Sequence, residues 1–368
     1  MKCDKIIKII EDWAPKSIPW EKDNVGLQVG SLRRNIKNIM LCLDVDEKVV
    51  EEARRKKCDL IISHHPLLFQ PLKKIDFEND KKSIIIEKLI KNDITLYSAH
   101  TNLDFTKDGV SFQLAKKLKL TNQKFLQNLS ENQKKLAVFV PIDFADKVAD
   151  AMHNAGAGVI GEYQNCSFRT LGTGTFMGSE KSNPIIGVKG KVERVEEVRI
   201  EVLVNTFDLK KVITEMKKIH PYEEVAYDVY PTSMDNVNYG MGVIGELKEE
   251  LSEKDFLEFT AKSLHIKNFR FNRGKKSKIK KVAVCGGSCS DLINSAIQND
   301  ADAFITADIK YHSFQDAENK ILLVDAGHYE TEISSLDELK NRIVKFLTDK
   351  TKVFKYKGST NQIVFYNN

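Results

Sequence analysis

The chain has 368 residues, 42% apolar and 30% charged, with a formal net charge of +5 at pH 7. That length suits two or three domains with a sizeable core, and that composition is of a soluble globular protein rather than a disordered one. The mild basic excess permits an anionic or nucleotide substrate without demanding nucleic acid, and no apolar run approaches the roughly 20 residues that span a bilayer. The amino terminus, MKCDKIIKIIEDWAPK, reads as an amphipathic helix and not as a signal peptide. After it, KNIMLCLD leads through a helical stretch to CDLIISHHP, and a further helix leads to ITLYSAHTNLD. These Ile-, Leu- and Val-rich runs predict buried strands of a mostly parallel sheet.

The middle of the chain changes pattern. KLAVFVP reads as a strand and DFADKVADAMHNAG as an amphipathic helix ended by glycine. Strands near CSFRTLGTGTF and VRIEVLVNTF, the helix DLKKVITEMKKIH and the strand EVAYDVYP follow. That βαββαβ order predicts a ferredoxin-like domain inserted at residues 130–235, between an α/β lobe at 1–129 and another at 236–368. In the second lobe KKVAVCGG leads to ADAFITADI and then to ILLVDAGHYETE. A constant offset of 243 places Cys42 on Cys285 and Ile61 on Phe304. The expected architecture is therefore two duplicated α/β lobes forming one domain, interrupted by the insert. The six cysteines are scattered without a CxxC pair, which fits a reduced cytoplasmic setting.

Metal-ligand side chains hang on three of the strand ends. His64 and His65 follow DLIIS, His100 and Asp104 follow ITLYSA, and His328 and Glu332 follow ILLVDAG. Ligands of open α/β sheets collect at the carboxyl edge of the strands, so the three clusters are expected to converge. His328 and Glu332, at i and i+4, share one helical face and can grip one cation. Three histidines, His64, His65 and His328, with Asp104 and Glu332 exceed what one catalytic zinc needs and suit two ions bridged by a carboxylate. Imidazole with carboxylate favours Zn, with Mn, Fe or Co compatible, over Mg, Ca or Cu(I). His100, outside that set, is the candidate for proton transfer. Weaker candidates are His312, Lys310, the CGGSCSD turn as an anion cradle, and the basic run Arg270–Lys281. Each of these has an ordinary structural account, as does His220 at a helix end.

SHHP, AHTNLD and DAGHYETE, with TADIKYH, closely resemble the GTP cyclohydrolase 1 type 2 homologues, also called the NGG-interacting-factor-like family. The resemblance covers essentially the whole chain, in the longer version that carries an inserted PII-like or CutA-like domain; HPYEE at His220–Glu224 fits that insert. By position it implies that His65 and Asp104 hold one ion, that His64 and His328 hold the other, and that Glu332 bridges both. It further implies a homohexamer and a metal-dependent hydrolase acting on a nucleotide or related small molecule. A non-enzymatic metal- or nucleotide-responsive regulator and a ring-shaped nucleic-acid binder are the other readings. Two positions depart from the family's usual pattern: Lys22 stands where it commonly has tryptophan, with Trp20 displaced, and Ala307 stands for its usual glycine.

Overall fold

A computed structural model describes residues 1–18, 23–347 and 350–366; Trp20 and Lys22 lie outside them. The fold is mixed α/β, in two compact units: residues 1–127 with 239–368, and residues 128–238.

The first unit contains two sheets. One has the order β1 (Gly26–Val29), β4 (Thr95–Ser98), β3 (Leu60–Ser63), β2 (Asn38–Cys42), β15 (Lys352–Lys355). The other has the order β11 (Arg270–Phe271), β14 (Leu322–Asp325), β13 (Ala303–Thr306), β12 (Lys278–Val284), β10 (Asn236–Ser252), β5 (Thr121–Leu129). In each sheet three neighbouring strands run parallel, β2-β3-β4 and β12-β13-β14. Their registers match: Ile39 faces Leu60 and Val282 faces Ala303, both displaced by 243 residues (39 to 282, 60 to 303).

Strands β3, β4, β13 and β14 are buried at every residue, which is why they read as unbroken apolar runs rather than alternating ones. The helices over them are amphipathic. Helix Cys3–Trp13 buries Cys3, Ile6, Ile7 and Ile10, the i, i+3, i+4, i+7 stripe that faces a core. Asp46 and Asp80 cap helices Glu47–Arg55 and Lys81–Lys91, each carboxylate accepting a backbone N–H three residues on.

The second unit runs β6 (Gln133–Pro141), helix Ala145–Asn154, β7 (Phe168–Met177), β8 (Val192–Asn205), helix Leu209–Ile219, β9 (Tyr227–Pro231). Its antiparallel sheet has the order β7-β8-β6-β9. Leu136, Val138, Val140, Val198, Ile200, Val202 and Val204 point to one face and pack with both helices. Alternation sends Phe139, Glu197 and Arg199 to the other face. Among the described residues no helix is long and apolar enough to cross a membrane.

Candidate metal centre

The first unit's parallel strands deliver their carboxyl ends to one place. Beyond β3 the backbone continues its ladder for two residues, the N–H of His64 donating to Cys42 O and that of His65 to Leu43 O. The Ser63 hydroxyl donates to His65 O at 2.8 Å, and Pro66 then ends the run. Beyond β4, the chain enters the single turn Thr101–Asp104, with His100 just before it. Beyond β14, Gly327 at φ +87° turns the chain into helix His328–Glu332. A positive φ of that size is one that glycine adopts without strain.

All four imidazoles are held by Nδ1. His64 Nδ1 lies 2.8 Å from Ala99 O, a carbonyl that can only accept, so this nitrogen carries the proton. His65 Nδ1 is 2.8 Å from Asp44 Oδ1, His100 Nδ1 is 2.8 Å from Asp23 Oδ1, and His328 Nδ1 is 2.6 Å from Asp308 Oδ2. Fixing Nδ1 in this way turns the Nε2 lone pair toward a cation, as in metal sites generally.

The Nε2 atoms meet around Glu332. Its Oε1 is 3.0 Å from His328 Nε2 and 3.7 Å from His64 Nε2, and its Oε2 is 3.1 Å from His65 Nε2. His64 Nε2 is also 3.5 Å from Asp104 Oδ1, and the Nε2 atoms of His65 and His328 are 3.3 Å apart. His64 and Glu332 are almost wholly enclosed, at 1% and 3% exposure. Yet His64 Nε2, Asp104 Oδ1 and Glu332 Oε2 are buried without any aligned hydrogen-bond partner. Three orphaned, inward-facing donor atoms of metal-ligand type are costly unless something binds them, and a divalent cation fits that chemistry.

Electrostatics point the same way. Burial opposes charge on His65, but its bond with Asp44 and the nearby Glu332 carboxylate carry the ring up to about 10. His328 rises to about 9 against the same opposition, through Glu332 and Asp308. Burial raises the Asp104 carboxyl, whereas Glu332, though buried, is held well below the usual carboxylate range by the surrounding histidines. A cation entering here competes with the protons that His65 and His328 hold tightly.

All five expected ligands, His64, His65, Asp104, His328 and Glu332, therefore lie together. Among the described residues, two groups of donors have atoms within 4.8 Å of one another: His65, His328 and Glu332, and His64, His65 and His100. His100 thus stands among the donors themselves, although sequence gave it a separate role. The nearest contacts also cross the partition implied by resemblance, joining His64 to Asp104 and His65 to His328. His312, by contrast, is exposed on helix Tyr311–Ala317, bonded to Gln315, and His220 donates from Nε2 to Phe139 O at 2.9 Å in the second unit.

Sequence reading missed Asp23, Asp44 and Asp308, the carboxylates behind the rings. Asp44 and Asp308 each sit just past an apolar strand, the same signal that marked the histidines. The CGGSCSD turn lies beside the cluster as well. Gly287, at φ +70°, abuts the cluster: a Cβ there would lie 2.4 Å from Glu332 Oε1 and 3.3 Å from His328 Nε2. The turn leaves room for the Glu332 carboxylate.

Residues 1–362 match the family model described as Duf34/NIF3 (NGG1p interacting factor 3). The GTP cyclohydrolase 1 type 2 homolog of Bacillus subtilis (strain 168) is 40% identical over 366 residues, 98% of each chain. The protein of that name from Listeria monocytogenes serovar 1/2a is 42% identical over 323 residues, 87% of this chain and 86% of the relative. Among solved structures, a Bacillus cereus protein related to NIF3 superposes with a TM-score of 0.84 at 39% identity, covering 99% of each chain.

Proposed function

The chain belongs to the Duf34/NIF3 family, and from that premise we propose that it is a metal-dependent hydrolase holding two divalent ions per chain, zinc in the first instance, with Mn, Fe or Co compatible. The observation that carries the reading is the convergence of three partnerless buried donor atoms, on His64, Asp104 and Glu332, with two further Nε2 atoms. Five donors of imidazole and carboxylate type exceed the three that one catalytic zinc takes from its protein, and Glu332, whose two oxygens lie near three rings, is the group that would serve both ions. When bound, such ions lower the pKa of water and polarise the attacked centre.

The chain's own residues supply the rest. Asp44, Asp308 and the Ala99 carbonyl keep the ligand rings in one tautomer and one orientation. His100, with Nδ1 tied to Asp23, presents Nε2 beside His64 and His65 and moves a proton between substrate and solvent. Asp23 is well suited to that duty. Burial works against its charge, but bonds with His100 and Thr101 hold its carboxyl down at about 2. Phe69 lies edge-on to His100 at 6.2 Å and offers an apolar wall to a heterocycle.

The substrate we propose is a nucleotide or related heterocyclic small molecule, by analogy with the name carried by the relatives. The matched registers of β2-β3-β4 and β12-β13-β14 support two duplicated lobes, and the strand order of the second unit supports an inserted ferredoxin-like domain of PII-like kind. A cytoplasmic homohexamer completes the proposal.

The experiment is a metabolite-depletion screen with zinc-loaded protein, with the Asp104→Ala, Glu332→Ala double variant as control and metal counted in both. Two ions per chain and a compound consumed only by the unsubstituted protein support the reading. One ion or none after full loading refutes the dinuclear centre; two ions with no consumption refutes the hydrolase.

A further inference from the structure

The second unit contains a cavity of about 630 Å³, within the range of small-molecule sites. It lies on the sheet face that the two helices leave open. Such a face of an antiparallel sheet is ordinarily polar and solvated. Here it is roofed by the segment from Gly178 to Ile186 and walled by Phe139, Phe176 and Tyr222. None of its lining residues belongs to the histidine cluster.

One charged group sits inside. Glu197 is 8% exposed, and its Oε1 accepts a hydrogen bond from the Tyr222 hydroxyl at 2.7 Å. Burial of a carboxylate is costly unless its oxygens are satisfied. The other oxygen, Oε2, lies over β7, where a Cβ on Gly174 would come within 2.1 Å of it. Only glycine at position 174 leaves the carboxylate that place.

The tyrosine is fixed in turn. The Tyr222 N–H donates to His220 Nδ1 at 3.1 Å, so Nδ1 is the accepting nitrogen and Nε2 carries the proton it gives to Phe139 O. This neutral histidine clamps the HPYEE turn to β6 and aims Tyr222 at Glu197. Tyr222 and Phe176 stand edge to face with centroids 5.6 Å apart, a preferred aromatic geometry. At the rim, Glu223 accepts the Asn183 N–H at 2.9 Å and so ties down the roof, with Glu224 beside it. Arg199 is the one cation of the lining; its Nη2 lies 3.0 Å from Glu201 Oε1, while its Nε is buried without a hydrogen-bond partner.

We propose that this cavity is a binding site for a planar, amino-substituted heterocycle without a phosphate, which stacks on the aromatic walls and donates N–H groups to Glu197. A buried acceptor-only carboxylate between aromatic rings selects a flat donor edge. Three carboxylates, Glu197, Glu223 and Glu224, against the single arginine make the lining net negative and disfavour an anionic ligand. The site is independent of the metal centre, so its failure leaves the reading of that centre untouched.

The test titrates the full chain with 2-aminopurine, a fluorescent heterocycle of this class. Saturable quenching is expected. Glu197→Gln should weaken it 10–100-fold, the usual value of a hydrogen bond to a charged group, with bound metal unchanged. Gly172, directly opposite Glu197 across the β7–β8 pair, supplies the second variant. A Cβ there meets nothing within 4 Å, so Gly172→Trp has a clear start into the cavity and should fill it and abolish binding. 2-Aminopurine riboside 5′-monophosphate should bind more weakly than the base. Absence of saturable binding to the unsubstituted protein overturns the proposal. So does wild-type affinity in both variants, or tighter binding of the monophosphate.

Discussion

Replacing Glu332 by glutamine keeps the shape of the side chain and removes its charge at the point where His64, His65 and His328 meet. A four-ligand zinc site is worth about 10–16 kcal/mol near neutral pH, so one ligand accounts for about 3–4 kcal/mol. At about 1.4 kcal/mol per tenfold, the loss is about 10²–10³ in affinity. Because the two oxygens of Glu332 face different rings, both ions should feel it. His328→Asn should weaken one ion by a similar factor and leave the other near its original affinity. The assay is chelator-competed zinc titration, with stoichiometry read by elemental analysis at each plateau. Two ions held by the Glu332→Gln variant within about threefold of the original affinities would refute the bridging role. Loss of one ion alone would reassign Glu332 to a single site.

His100→Asn should keep both ions and lower kcat by about 10²–10⁴, the usual contribution of a general acid or base; loss of an ion in the same variant would make His100 a ligand instead. Gly287→Ala should release metal, since its Cβ would press on Glu332 Oε1 at 2.4 Å and the backbone is left-handed there; the added strain costs about 1–2 kcal/mol, and elemental analysis of the folded variant checks the outcome. In the second unit, burial pushes the His220 ring below its ordinary 6.5. The unfolded chain therefore binds the proton more readily, so this contribution to stability is full above pH 6.5 and is lost as pH falls through the lower, folded value. Urea midpoints measured from pH 7.5 down to 5 should fall faster for the unsubstituted protein than for His220→Gln; parallel curves would contradict this.

What the sequence disclosed, and what it withheld, follows from the range of the forces involved. Strands such as Leu60–Ser63 and Ala303–Thr306 are buried on both sides, so their apolar runs are visible without knowing any neighbour. The candidate ligands could be picked out because imidazole and carboxylate at strand ends are chemically conspicuous. Long-range pairing was not legible. Asp23 and His100 are 77 positions apart and meet only through the fold. The pairing of His65 with His328, 263 positions apart, is likewise a product of packing. Phe139, Glu197 and Arg199 show the same limit: alternation put them on one face of a strand, but nothing local said that the face encloses a cavity.

The matched registers also explain why the centre is asymmetric. The offset of 243 carries His64 and His65 to Ala307 and Asp308, and Asp44 to Gly287. In the first set of strands the position after β3 supplies a ring, His65, and the position after β2 supplies the carboxylate behind it. In the second set the equivalent of His65 is itself the supporting carboxylate, since Asp308 holds His328. The equivalent of Asp44 is a glycine, and the space beside it is filled by Glu332. Two similar scaffolds thus hold complementary halves of one donor set. Three of the rings follow the first set, while Glu332 and one ring follow the second, so neither triad of strands carries the whole cluster.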